Sequence, residues 1–103
     1  MRKLKSVEKD LQKKFREDEA FRETYELEEL KAQIALFIIQ SRMKQHLTQA
    51  QLAKKAEIKQ QEVSRIENGD IGTFRMLYKV LHALGRGVKI LFPKEESYTA
   101  QHA

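Results

Sequence analysis

The sequence predicts an all-α fold with one short C-terminal strand, on three observations. Gly and Pro are scarce, four and one in 103 residues, so little in the chain interrupts a helix. Apolar residues recur at spacings of three and four, the period of helices that bury one face. One stretch departs from that period: GVKILF at residues 87–92, β-branched and aromatic, too short for a helix and closed by Pro93.

Taken in order, Leu4, Val7, Leu11 and Phe15 form a first stripe, on a helix expected to start near Ser6. Asp18 suits the N-cap of a second helix, where its carboxylate accepts from open backbone amides and Glu19 favours the positive end of the dipole. That helix runs as far as Lys44. It carries one apolar face of Leu27, Leu30, Ile34 and Ile38 and another of Phe21, Tyr25, Ala32, Leu36 and Ile39. Residues 36–39 are apolar all round, which predicts a buried segment. Thr48 with Gln51 reads as a capping box opening a third helix to about Ala56. A turn of Glu57, Ile58 and Lys59 leads to a fourth helix, from Gln60 to about Glu67, stopped by Asn68-Gly69. Gly72-Thr73 opens a fifth, carrying Phe74, Leu77, Val80, Leu81 and Leu84 and ending at Gly85. Residues 94–103 read as a polar tail.

The lone strand lacks a partner within the chain, and unpaired backbone groups need one. Pairing with the same strand of a second copy predicts an isologous homodimer held through Val88, Ile90 and Phe92. A C-terminal extension packed on its own core is the alternative.

Charge is distributed in blocks around a formal net of +5. Residues 1–16 hold seven bases against two acids, residues 17–29 seven acids against Arg22 alone, and residues 42–94 eleven bases against four acids. The basic C-terminal block has the footprint of a phosphate binder. The acidic block fits either a solvated helix face or a basic partner. There is no cysteine, hence no disulfide and no thiolate metal site, and the three histidines are scattered. No cofactor or metal is expected. The longest apolar run, residues 35–39, falls far short of the roughly 20 residues that span a bilayer, and no apolar leader opens the chain. These features lead to the expectation of a soluble, cytoplasmic, nucleoid-associated protein with no membrane association.

The most specific chemistry lies in TQAQLAKKAEIKQQEVSRIENG, residues 48–69. Leu52, Ala53, Ala56, Ile58, Val63 and Ile66 are the apolar positions that two short crossing helices bury against each other, with the small Ala53 at the crossing. The polar residues left on the second helix are Gln60, Gln61, Ser64 and Arg65, clustered toward the end that enters a major groove. Gln pairs bidentately with adenine and Arg with guanine. Gln49, at the start of the preceding helix, is placed for a phosphate. Lys54, Lys55, Lys59 and Arg75 fit either phosphate contacts or solvated surface charges.

These residues resemble the Xre-type helix-turn-helix of lambdoid phage repressors, Cro-like proteins and many bacterial regulators. The likeness covers about residues 42–85 and joins TQxxLA, QQxxSRIENG and a closing ALG. It implies a lambda-repressor-like domain at 32–85, flanked by an N-terminal helical extension at 1–31 and a dimerisation strand and tail at 86–103. It implies base contacts from Gln60, Gln61, Ser64 and Arg65, and phosphate contacts from Gln49, Lys59, Asn68 and Arg75. Arg42 and Glu67 resemble the family's internal ion pair rather than DNA contacts. Two family glycines are replaced, by His46 before LTQ and by Glu57 in the turn. A positive φ at either position brings strain of order 1 kcal/mol.

The upstream segment DEAFRETYELEELKAQIALFIIQSRMKQHLTQ is also similar, more loosely, to HigA-type antitoxins. That likeness implies a small basic RelE/HigB-like ribonuclease toxin as partner, held by Phe21, Tyr25, Glu19, Glu23 and Glu26, with repression of its own operon at an inverted-repeat site in double-stranded DNA. A stand-alone Xre repressor is the alternative, in which Phe21 and Tyr25 pack the chain's own first helix. A scaffold that uses the fold for protein contacts is a third reading, and shallow salt dependence of DNA binding would mark it. Nothing resembles an enzyme: no nucleophile with a paired base and no Gly-rich phosphate loop is present.

Overall fold

The computed structural model describes residues 2–87 and 89, and these form five helices: α1 (Arg2–Glu17), α2 (Glu19–Lys44), α3 (Gln49–Ala56), α4 (Gln60–Glu67) and α5 (Phe74–Ala83). There is no strand among the described residues. Val88, Ile90 and Phe92, and with them the expected strand and its pairing across a dimer, lie outside the described residues.

The helix boundaries follow local chemistry. Asp18 caps α2, its side chain accepting from the Phe21 amide at 3.0 Å. Thr48 and Gln51 make the reciprocal capping box of α3, with the Gln51 amide donating to Thr48 Oγ1 at 3.0 Å and the Thr48 amide donating to Gln51 Oε1 at 2.8 Å. Thr73 caps α5 by accepting from the Met76 amide. α1 begins earlier than Ser6, because Arg2, Lys3, Leu4 and Lys5 are all strong helix formers and nothing there stops the helix.

The C-terminal ends of α2 to α5 share one closure. After α2 the His46 amide donates to the Met43 carbonyl and the Leu47 amide to Arg42. After α3, Glu57 and Ile58 bond back to Lys54 and Ala53 in the same pattern. Gly69 with Asp70, and Gly85 with Arg86, repeat it after α4 and α5. Each is a Schellman turn, whose pivotal residue adopts the left-handed conformation. Glycine fills that position twice, while His46 (φ 58°) and Glu57 (φ 59°) fill it at the other two. Both replaced glycine positions therefore keep positive φ, the condition under which strain is expected.

The core is formed by Ile38 of α2, Leu52, Ala53 and Ala56 of α3, Val63 and Ile66 of α4, and Leu77, Val80, Leu81, Ala83 and Leu84 in and after α5. Ile34, Leu47, Ile58, Ile71 and Met76 pack around it. α1 packs along the first half of α2 as a hairpin, and the second half of α2 enters the core against α4.

One expectation of burial is corrected. Within residues 36–39 only Ile38 is fully buried, while Leu36 and Phe37 are about half exposed. α2 rests on its neighbours along one side, so an all-round apolar segment keeps its remaining sides open. Phe74 fits the periodicity of α5 yet is 86% exposed, because it occupies the first helical position, ahead of the turns that reach the core.

Candidate nucleic-acid interface

α4 owes its placement to Val63 and Ile66, both essentially fully buried against α3 and α5. Burying these two positions turns Gln60 and Gln61 fully outward, with Ser64 half-buried one turn later and Arg65 exposed. Arg65 Nη1 contacts Glu62 Oε1 at 3.3 Å, an exposed pair within the helix that holds the guanidinium weakly. Lys59, the N-cap of α4, makes no side-chain cap bond, and its carbonyl accepts from the Glu62 amide at 3.0 Å. Asn68 caps the other end and is exposed, and Arg75 lies exposed in the first turn of α5.

Behind this surface lies a polar clamp. Arg42 Nε donates to Glu67 Oε2 at 2.7 Å and Nη2 to Oε1 at 3.0 Å, a bidentate pair, while Nη1 donates to the Leu47 carbonyl at 2.9 Å. The side chains are 16% and 5% exposed. Hydrogen bonding to Glu67 holds the Arg42 guanidinium above its ordinary range, against the lowering effect of burial, with Coulombic attraction to Glu67 adding to the rise. A raised base contributes its stability at every pH below its unfolded value and loses it only as pH climbs through the folded one. For an arginine that window is strongly alkaline, so the guanidinium stays charged throughout the physiological range.

Gln49 shares this clamp. Its Nε2 donates to Glu67 Oε1 at 3.1 Å, so the carboxamide expected at a phosphate is already tied to the end of α4. The one carboxylate thus joins α2, the start of α3 and the end of α4. The sequence motif carries no mark of that link, since Gln49 reads equally as a free polar residue. Gln45 is a second unforeseen tie: its Nε2 donates to the Leu84 carbonyl at 2.8 Å, pinning the end of α2 to the end of α5.

The N-terminal hairpin is a separate surface. Phe15 of α1 meets Tyr25 edge-on, with ring centroids 5.7 Å apart; Phe21 lies 6.4 Å from Tyr25, and Lys14 sits over the Phe21 ring. The Phe21 and Tyr25 face is therefore partly covered by the chain's own first helix. Tyr25 nonetheless remains 54% exposed, and with Leu11, Gln12, Phe15, Arg16 and Phe21 it lines a cleft of about 410 Å³. Glu19, Glu23 and Glu26 are exposed on the same helix. Among the described residues no cluster of metal-ligating side chains occurs, and no helix is long and apolar enough to cross a membrane.

A capped helix, a tight left-handed turn and a second short helix that presents glutamines outward from a buried base together define a DNA-binding transcriptional regulator of the helix-turn-helix kind. The family model for helix-turn-helix domains matches residues 38–91, more than half of the chain, and the chain belongs to that Xre-like family. No curated protein and no solved structure matches it.

Proposed function

We propose that this protein is a dimeric repressor that reads an inverted-repeat operator through α4 and is also the antitoxin of a toxin–antitoxin pair. In this reading Gln60, Gln61, Ser64 and Arg65 face base edges, and Lys59, Asn68, Arg75 and Gln49 face phosphates, Gln49 through its backbone amide and its remaining side-chain hydrogen. Two copies place their α4 helices in successive major grooves about 34 Å apart, and bound protein blocks transcription sterically. The N-terminal hairpin seats a small basic RelE/HigB-like ribonuclease toxin, through Phe21 and Tyr25 at the cleft and Glu19, Glu23 and Glu26 on the opposite side of the same helix.

The observation that carries this reading is the double role of α2. Its acidic first half, with an open apolar cleft, stands outside the core, while its second half is built into the DNA-binding domain. A solvated helix face needs acids but not an uncovered tyrosine beside an apolar cleft. The contact of Tyr25 with Phe15 favours a second reading, a stand-alone repressor whose hairpin only stabilises itself.

The separating experiment is a tagged pull-down from the native host, with intact-mass analysis of what survives a high-salt wash. A stoichiometric small basic protein, lost on Tyr25→Ala, supports the antitoxin; recovery of this chain alone supports the stand-alone repressor. Replacing Gln60 and Gln61 by Ala is expected to erase operator preference in an anisotropy titration while weak, salt-sensitive binding persists. Undiminished preference would show that other residues read the bases.

A further inference from the structure

We infer that Asp18 is a hinge, and that rotation of its backbone converts the α1–α2 hairpin into one continuous helix and dismantles the aromatic cleft. Any function given to that cleft belongs to the reading above; the hinge rests on geometry alone.

Only Asp18 separates the two helices. It already belongs to both hydrogen-bond ladders. Its amide donates to the Lys14 carbonyl at 2.8 Å and its carbonyl accepts from the Arg22 amide at 3.0 Å, each the i to i−4 bond of an α-helix. What breaks the helix is the torsion of this one residue, φ −107° and ψ 102°, where a helix needs ψ near −42°. Nothing else at the junction opposes a helix. Residues 12–29 contain neither glycine nor proline and are rich in Lys, Arg and Glu, which are good helix formers.

The two forms exchange similar interactions. In the hairpin the Asp18 carboxylate accepts from the Phe21 amide at 3.0 Å and Phe15 meets Tyr25 edge-on. Among the described residues no backbone bond joins an α2 amide to an α1 carbonyl. In the continuous helix the Glu19, Ala20 and Phe21 amides reach the Phe15, Arg16 and Glu17 carbonyls, and these bonds replace the cap and the aromatic contact. Burial opposes the change only weakly, since Val7, Leu11 and Tyr25 are about half exposed in the hairpin.

Register points the same way. Counted through Asp18 at 100° per residue, Val7, Leu11 and Phe15 fall with Phe21, Tyr25 and Ala32 inside an arc of about 120°. That is the phase of one amphipathic helix. Opening replaces two half-covered faces by a single one. It also removes the cleft of about 410 Å³, whose walls come from both helices. The hinge therefore gates the cleft.

The test places spin labels at Ser6→Cys and Glu29→Cys in the full chain, which has no cysteine of its own. One helix sets these positions about 35 Å apart at the usual rise per residue, and the hairpin brings them nearer. Pulsed dipolar spectroscopy of the wild-type background is expected to show both separations. Asp18→Ala removes the cap and supplies a better helix former, and should raise the ratio of long to short separation about fivefold. Asp18→Asn keeps a capping side chain and should leave the ratio within about twofold of wild type. Amide exchange at Glu19 and Ala20 should slow in Asp18→Ala, because both amides gain carbonyl partners. Faster exchange there with a broad spread of distances means that α1 melts instead of joining α2, and overturns the inference; so does an unchanged ratio in Asp18→Ala. Neither readout involves a toxin or an operator, so the presence or absence of a captured basic protein reports on the function of the cleft separately.

Discussion

The N-terminal hairpin and the helix-turn-helix domain have comparable helical content but are held together by different means. In the domain the C-terminal end of every helix is closed by a Schellman turn, the core contains side chains with no exposure, and Glu67 ties three helices through its bidentate pair with Arg42 and its bond from Gln49. In the hairpin α1 meets α2 through a few aromatic contacts, while Val7, Leu11 and Tyr25 stay about half exposed. Burial supplies most helical stability in proteins, so the domain is expected to be the more stable region and the hairpin the less stable one. A marginal element beside a firm one is well suited to adapt to whatever it meets, since little native packing has to be given up.

The sharpest way to break this contrast is Arg42→Ala. It strands a nearly buried Glu67 carboxylate and should cost about 3 to 5 kcal/mol in urea unfolding, with DNA binding lost through unfolding rather than a missing contact. A variant of unchanged stability with weakened DNA binding would instead make Arg42 a direct contact. Next in size, Ala53→Leu should cost about 1 to 3 kcal/mol, because the site is buried between helices with no space to accept the added carbons. In the hairpin, Phe15→Ala removes an aromatic pair worth roughly 0.5 to 1.5 kcal/mol beyond its buried area. Hydrogen exchange should then rise along α1 and the first half of α2 while the α3 to α5 amides keep their protection. Uniform acceleration would mean that the two regions unfold as one. The smallest effect is a gain: Glu57→Gly relieves left-handed strain and should raise stability by up to about 1 kcal/mol, less the entropy a glycine adds to the unfolded chain, read as a higher thermal midpoint.

Much of the fold was legible because the signals are local. Thr48 with Gln51, Asp18, Asn68-Gly69 and Gly85 act within a few residues of where they stand, and the helix limits they imply agree with α2 to α5. The pairing of Arg42 with Glu67 came through family resemblance, since nothing in the two residues themselves, 25 positions apart, marks them as partners. What escaped was tertiary. The exposure of Phe37 and Phe74 depends on which sides of a helix have neighbours, and periodicity reports only that an apolar side exists. The engagement of Gln49 with Glu67 likewise depends on where the end of α4 comes to rest. For the site, the sequence identified α4 and its outward residues, because the buried Val63 and Ile66 fix the rotation of the helix.

α2 runs unbroken for 26 residues, with the hairpin on one end and the Arg42 clamp near the other. Tyr25 and Arg42 are separated on it by about 26 Å at the usual rise per residue. The helix is thus both ruler and protractor. The hairpin cleft is held at a set distance from α4 and at a set angle around the α2 axis. Lengthening α2 by a single residue would swing the hairpin about 100° around the helix axis while leaving the surfaces of both regions chemically intact.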